Sequence, residues 1–174
     1  MLREFKKEDI LAIREWVNEL QIVDNLPDNF LHPHTMSETE AYVNAMLERK
    51  YSSQEHFVIA NIQTEEYLGS ISIFNIDYKN RAAEIGIVLG KTGLLSQGIG
   101  SVALKLAIKF AFERMNLRRL ELNVIGFNHR AQKCYLKCGF KEEGRLRQRH
   151  YSKGAYHDVI VMGLLKDETK VVAT

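Results

Sequence analysis

Residues 83–124 read AEIGIVLGKTGLLSQGIGSVALKLAIKFAFERMNLRRLELNV, and this stretch decides the architecture. Ala83 to Leu89 has the β-branched and aliphatic content of a strand, interrupted by Gly86, where a bulge or a close backbone approach is expected. Gly93 to Gly100 is a glycine-containing loop. From about Ile99 to Met115 the pattern turns helical and apolar almost all round: Val102, Ala103, Leu104, Leu106, Ala107, Ile108, Phe110, Ala111 and Phe112. Lys105, Lys109 and Glu113 alone make a polar stripe, so the helix is expected to be mostly buried. Arg119 to Val124 is again a strand. A strand, a long crossover helix and a second strand require a parallel pair in one sheet.

Working outward, Met1 to Phe5 can form a first strand. Glu8 to Leu20 carries Ile10, Ile13, Trp16, Val17 and Leu20 at helical spacing. Asn25, Pro27, Asp28 and Pro33 break the chain between Asp24 and Thr35. Ser37 opens a second helix, with Glu40 completing a capping box and Ala41, Val43, Met46 and Leu47 as its apolar positions. His56 to Ile62 and Leu68 to Phe74 read as strands. In the latter, Ile71 and Ile73 share one face and Ser70 and Ser72 the other. Beyond the central unit, Asn128 caps a helix that runs to about Cys138 and ends at Gly139. Glu142 to Tyr151 and Tyr156 to Leu165 form a hairpin turning at Lys153-Gly154. The order β-α-α-β-β-β-α-β-α-β-β implies one α+β domain over residues 1–165. Its mixed sheet has about seven strands with helices on both faces. A polar tail occupies 166–174.

Of the 174 residues, 45% are hydrophobic and 26% charged, and the net charge of +2 gives no case for nucleic acid. Arg145, Arg147 and Arg149 read as a solvated strand face. No apolar run reaches the ~18 residues that span a bilayer, and the N-terminus lacks a secretory pattern, so the cytoplasm is expected and no membrane partner. Cys134 and Cys138, four apart on one helix, read as buried reduced thiols. His129, His150 and His157 show no ligand spacing with a third residue, so no metal is expected.

Two stretches carry chemistry. Leu94-Leu-Ser-Gln-Gly98-Ile-Gly100 lies between a strand and a helix. Its glycines let backbone N–H groups face outward, and the helix start adds unpaired donors and positive dipole, which suits a pyrophosphate. A plain tight turn is the alternative. It is neither a P-loop nor a dinucleotide fingerprint. In the second stretch, Asn128-His-Arg-Ala131-Gln-Lys-Cys-Tyr135-Leu-Lys-Cys-Gly139-Phe140, Asn128 opens a helix. Tyr135 sits nearly two turns along the same face; packing into the core is its alternative role.

Gly98-x-Gly100 followed about thirty residues later by Asn-x-x-Ala-x-x-x-Tyr-x-x-x-Gly-Phe resembles the acetyl-coenzyme A core of the GNAT N-acetyltransferases. Glu143-Gly-Arg-Leu-Arg, Gly154-x-Tyr156-x-Asp158 and Gly163-Leu-Leu, with Leu2-Arg3 and Lys7-Glu8-Asp9 at the start, resemble the subgroup of ribosomal-protein N-terminal and spermidine acetyltransferases. One departure is Leu95, where the family usually has Gln or Arg. The resemblance implies acetyl-CoA as cosubstrate, without a metal. Backbone amides of Ser96, Gln97, Gly98, Ile99, Gly100 and Ser101 would hold its pyrophosphate. The strand through Ile85, Ile87 and Val88 would pair with its pantetheine arm, and Asn128 would bond nearby. Tyr135 would face the sulfur as general acid, a role its ordinary pKa near ~10 suits. An amide near Ile87 could stabilise the oxyanion. Glu84 is the candidate base, working through water, with a solvated position beside Arg81 as its alternative. His32 and His34 read as bystanders, and Asp158 as structural rather than acceptor-orienting.

The expected reaction is direct attack by a primary amine in a ternary complex. A protein or peptide N-terminal α-amine is the favoured acceptor. A polyamine or amino sugar is the alternative, served by Asp24, Asp28, Glu38 and Glu40 if they converge. A non-catalytic acyl-CoA sensor is a reading of another class. A homodimer is the candidate assembly.

Overall fold

A computed structural model describes residues 1–26, 30, 32–50 and 53–169. The elements are β1 (Leu2–Arg3), α1 (Asp9–Trp16), α2 (Leu20–Val23), α3 (Met36–Leu47), β2 (Glu55–Ala60), β3 (Tyr67–Asp77), β4 (Ala82–Leu89), α4 (Ile99–Lys109), β5 (Arg119–Ile125), α5 (His129–Lys137), β6 (Lys141–Ser152) and β7 (Ala155–Leu165). The seven strands form one sheet in the order β1-β2-β3-β4-β5-β7-β6. Every pairing is antiparallel except β4 with β5, the parallel pair that the α4 crossover demands.

Alternation along the strands sorts the sheet into two faces, because successive side chains point to opposite sides. Ile59, Ile71, Ile73, Ala83, Ile85, Leu120, Leu122 and Val124 meet α4 and α5 on one face. Val58, Ala60 and Tyr67 meet Phe5, α1 and α3 on the other. Helices therefore cover both faces, as the sequence order implies. A buried bidentate ion pair ties β1 to α1: Arg3 Nη2 and Nη1 reach Asp9 Oδ1 at 2.7 Å and Oδ2 at 2.9 Å, and the Lys6 amide also donates to Asp9.

Several expectations are corrected. The helix expected over Glu8–Leu20 breaks after Trp16 and resumes as the short α2. In the break, Asn18 clamps both backbone groups of His34, accepting its N–H at 2.8 Å and donating to its carbonyl at 3.1 Å. Leu20 is exposed as a result. Thr35, not Ser37, caps α3, and Glu38, not Glu40, completes the capping box. Both residue pairs have the right spacing, and only the chain's entry angle selects the first. Thr39, Val43 and Ala45 are the buried positions of α3, whereas Ala41 and Leu47 face out.

The long helix buries one face rather than its whole circumference: Val102 is 60% and Leu106 43% exposed, beside Lys105 and Lys109. Its final turn, Phe110–Arg114, widens so that the Met115 amide bonds the Phe110 carbonyl. At the hairpin turn, Lys153 and Gly154 both have positive φ, the geometry that two-residue hairpin loops favour. Asp28 and Pro27, and the last five residues of the expected polar tail, lie outside the described residues.

Candidate active site

The parallel pair opens after three residues. Ala82, Ala83 and Glu84 are in register with Arg119, Leu120 and Glu121, and beyond Glu84 the two strands part. Ile85 to Leu89 stay paired with β3, from Ile85↔Ile73 to Leu89↔Gly69, but have no β5 partner. β5 meanwhile continues along β7 as far as Ile125↔Val159. The split leaves an edge of β4 with unsatisfied backbone groups, to which an extended amide-bearing chain can add like a strand. Ile85, Gly86, Ile87, Val88 and Leu89 on one side and Asn123, Val124 and Ile125 on the other line a cavity of about 1380 Å³.

At one end of the cavity stands the loop before α4. Ser96 (φ 63°) and Gly98 (φ 83°) both adopt left-handed conformations. The first bond of α4 runs from the Val102 amide to the Gly98 carbonyl. Among the described residues, the six amides from Ser96 to Ser101 have no protein acceptor. Successive outward N–H groups at a helix start form a concave anion site, which fits a pyrophosphate without any basic side chain. Leu95, Ser96, Gly98, Gly100 and Ser101 line the cavity. The side chains of Gln97 and Ile99 do not: Gln97 Nε2 bonds the Gly93 carbonyl at 2.6 Å, and Ile99 packs into the core. Only their backbone amides serve the loop. Gly100 brings α4 close to α5 and β4; a Cβ there would lie 3.8 Å from both Cys134 Sγ and Ile87 Cδ1.

α5 forms the adjoining wall. Asn128 caps it, its Oδ1 accepting the Ala131 amide at 3.1 Å, and faces the cavity with its NH₂ group bonded to no described residue. Tyr135 also lines the cavity although it is only 7% exposed, because its ring packs edge-on against Phe140 with centroids 5.9 Å apart. Its hydroxyl makes no hydrogen bond to a described residue. Burial raises its pKa above the ordinary tyrosine range, helped by the neighbouring Cys134 and Cys138. The hydroxyl thus keeps its proton at neutral pH. Cys134 and Cys138 are half-buried free thiols behind the loop, and Ser101 Oγ lies 3.3 Å from Cys134 Sγ.

The sheet face under α1 and α3 supplies the other end. Glu84, Gly86 and Val88 of β4 stand beside Phe74, Ser72 and Ser70 of β3 and, beyond them, His56 and Val58 of β2. Gly86 is where the Phe74 ring comes close: a Cβ there would meet it at 3.3 Å. Glu84 lines the cavity and accepts a hydrogen bond from Asn75 Nδ2 at 2.7 Å. Its expected neighbour Arg81 turns away to the Asn116 carbonyl at 2.7 Å, so the solvated Glu84–Arg81 pairing is not formed. Trp16, Phe30, His34 and Tyr42 close the pocket above.

Of the three described acids among those considered for a cationic acceptor, Glu38 alone lines the cavity, and its carboxylate is held by Thr35. Asp24 pairs with Lys153 at 3.1 Å, and Asp28 lies outside the described residues. The three described acids do not converge. His34 stacks on Phe30, with centroids 5.3 Å apart, and borders the pocket, while His32 is exposed. Asp158 accepts the Gln148 amide at 3.0 Å, a structural tie within the β6–β7 hairpin. The three β6 arginines are exposed, as their sequence pattern suggests, and Arg149 reaches the cavity rim.

Sequence reasoning missed His56, Gln54 and Asn75. His56 and Asn75 are single polar residues whose partners, Ser72 and Glu84, lie on another strand, and Gln54 acts only through His56. The only local hint was the polar face of β3 carrying Ser70 and Ser72.

A cavity joining a helix start with outward amides, a free strand edge and a tyrosine agrees with comparison to known proteins. The model of the acetyltransferase (GNAT) domain matches residues 1–141. The chain belongs to the GNAT acetyltransferases. A spermidine N(1)-acetyltransferase of Vibrio cholerae is 27% identical over 158 residues, 86% of this chain and 89% of that protein. A putative ribosomal N-acetyltransferase of Bacillus subtilis, YdaF, is 36% identical over 100 residues, 58% of this chain but only 54% of the relative's length. Among solved structures, the Vibrio cholerae spermidine N-acetyltransferase in complex with CoA and spermine superposes with a TM-score of 0.83 at 25% identity, covering 97% of this chain and 96% of that one. As a GNAT acetyltransferase the protein uses acetyl-CoA as acetyl donor, and the unpartnered amides of Ser96–Ser101 and the free β4 edge fit that cosubstrate. Among the described residues no helix is long and apolar enough to cross a membrane, and no group of His, Cys, Asp and Glu could hold a metal ion.

Proposed function

We propose that the protein transfers the acetyl group of acetyl-CoA to the primary amine of a small molecule, by direct attack in a ternary complex. One observation carries this: a continuous cavity runs from the unpartnered loop amides, through the β4–β5 split and past the Tyr135 hydroxyl, to the pocket holding Glu84. The amides from Ser96 to Ser101 hold the pyrophosphate. The β4 edge through Ile85, Ile87 and Val88 aligns the pantetheine arm, with Asn128 as a further donor. An N–H on that edge near Ile87 stabilises the oxyanion. Tyr135 donates its proton to the departing thiolate, and its hydroxyl is refilled through water from the attacking nitrogen. Glu84 pairs with the incoming ammonium and places it against β4. Holding both reactants in one cavity supplies the effective molarity that direct attack needs.

The likeness to spermidine acetyltransferases over nearly the whole chain favours a small amine over the protein N-terminal α-amine that the sequence motifs suggest. The pocket adds a qualification of its own. Glu38 and Glu84 are the only carboxylates lining the cavity among the described residues, which suits an amine of low charge better than one carrying three or four positive groups. Free-thiol release should be followed with spermidine, spermine, monoamines, amino sugars and short peptides at fixed acetyl-CoA. A kcat/KM at least tenfold higher for a small amine than for any peptide is expected. The opposite order would restore the peptide reading, and binding of acetyl-CoA without turnover of any amine would leave an acyl-CoA sensor. A homodimer is proposed as the assembly, to be read from the sedimentation coefficient.

A further inference from the structure

The pocket contains a second polar device that the reading above does not use. His56 of β2 and Ser72 of β3 are directly opposite in the antiparallel register. Their side chains meet at 2.7 Å between Nδ1 and Oγ, and His56 Nε2 lies 2.9 Å from Gln54 Oε1. An amide oxygen can only accept, so Nε2 carries the imidazole proton. Nδ1 is therefore the lone-pair nitrogen and accepts the Ser72 hydroxyl proton. Gln54, His56 and Ser72 all line the cavity. On its other flank Ser72 stands opposite Gly86, and no side chain on β4 shields its hydroxyl at that position. Burial lowers the His56 pKa, which keeps the ring neutral and able to accept at physiological pH.

We propose that Ser72 and His56 form the relay that takes the proton from the acceptor ammonium before it attacks; this rests on the acetyltransferase reading. The ammonium N–H proton passes to Ser72 Oγ as the Ser72 hydroxyl proton passes to His56 Nδ1. The result is a neutral amine and an imidazolium whose Nε2–H stays bonded to Gln54. After the product leaves, the imidazolium returns its proton through Ser72 to solvent. The net reaction, ammonium plus thioester to amide, thiol and one released proton, is balanced. Imidazole is a stronger proton acceptor than a carboxylate by about two pK units in model compounds, an advantage that burial of His56 partly reduces. The other titratable and charged groups lining the cavity are Glu84 from β4, Glu38 and Tyr42 from α3, His34 from the segment before α3, His129, Arg130, Lys133, Cys134, Tyr135 and Lys137 from α5, and Arg149 and His150 from β6. Burial, rather than any of these, sets the direction of the His56 shift.

The test is the pH profile of kcat at saturating acetyl-CoA and amine. In the wild type kcat should fall on acidification through a group titrating below about 6.5, the ordinary histidine value. His56→Gln should lower kcat by about 10–10²-fold and abolish that acid limb, with KM for acetyl-CoA unchanged. Ser72→Ala should do the same, and it serves if His56→Gln fails to melt cooperatively. Gln54→Glu sets a carboxylate against Nε2–H and should move the acid limb up by about one pH unit, which a purely structural contact would not do. Retention of wild-type kcat and the same limb in His56→Gln or Ser72→Ala overturns the relay, as does an unmoved limb in Gln54→Glu. Wild-type protein that turns over no amine overturns the acetyltransferase reading first and the relay with it, and that failure is seen without any variant.

Discussion

Tyr135→Phe isolates the chemical step, because the structure separates the ring from the hydroxyl. The ring is 7% exposed and packs against Phe140, and both features survive the substitution. The hydroxyl bonds no described residue, so its removal strands no partner. Stability should therefore change by no more than about 0.5 kcal/mol, less than one ordinary hydrogen bond is worth. The kinetic effect should be larger. A proton given to a departing thiolate acts only in the transition state, and general acid assistance is worth about 10²-fold at its low end, or about 2.7 kcal/mol of barrier. We expect kcat to fall by about that factor, with KM for acetyl-CoA nearly constant. Because burial holds the Tyr135 pKa above the ordinary range, wild-type kcat should show no loss from tyrosine ionisation up to pH ~10. The assay is free-thiol release at saturating substrates, with a melting curve beside it. A variant that melts and turns over like the wild type would refute the assignment, leaving water or the substrate to protonate the sulfur.

Gly98→Ala should cost about 1 kcal/mol of stability, since φ is 83° and no atom crowds the new methyl group, so the cost is conformational. Its larger effect should be several-fold weaker acetyl-CoA binding by calorimetry, as the loop amides turn; unchanged affinity would remove the anion site. Asp9→Ala leaves Arg3 buried without its bidentate partner, and denaturant unfolding should show a loss of about 3–5 kcal/mol, whereas a loss under 1 kcal/mol would mean that solvent reaches the pair. Tyr67 is 4% exposed, and burial raises its pKa. A raised folded-state value means its stabilising contribution is complete below the unfolded pKa of about 10 and declines as pH rises beyond it. Tyr67→Phe should thus lose less melting temperature than wild type between pH 9 and about 11; equal losses would place the alkaline sensitivity elsewhere.

The Asn128 cap and the glycine loop were legible in the sequence because each depends on residues within one turn of each other, and the α+β class and the parallel β4–β5 pair followed from the order of strands and helices. Periodicity alone assigned the strands of residues 83–124 and the helix between them. The same local character explains the errors. Two capping boxes fit the start of α3, and the contact between Asn18 and His34 that ends α1 early joins residues sixteen apart. The exposure of Val102 and Leu106 depends on how far neighbouring elements wrap around α4.

The active-site residues divide along the same line. Sequence spacing put Tyr135 and Asn128 on one helical face and the amides of Ser96–Ser101 at one helix start. Only the tertiary structure could decide that β4 and β5 part after Glu84, because strand separation is a property of two chain segments with a helix between them. Only it could turn Arg81 away from Glu84, keep Asp24 and Glu40 away from Glu38 in the pocket lining, and set His56 against Ser72 across the sheet. A lone histidine in a strand carries no local mark of its partner. Antiparallel register alone brings an imidazole and a hydroxyl sixteen residues apart within hydrogen-bond reach.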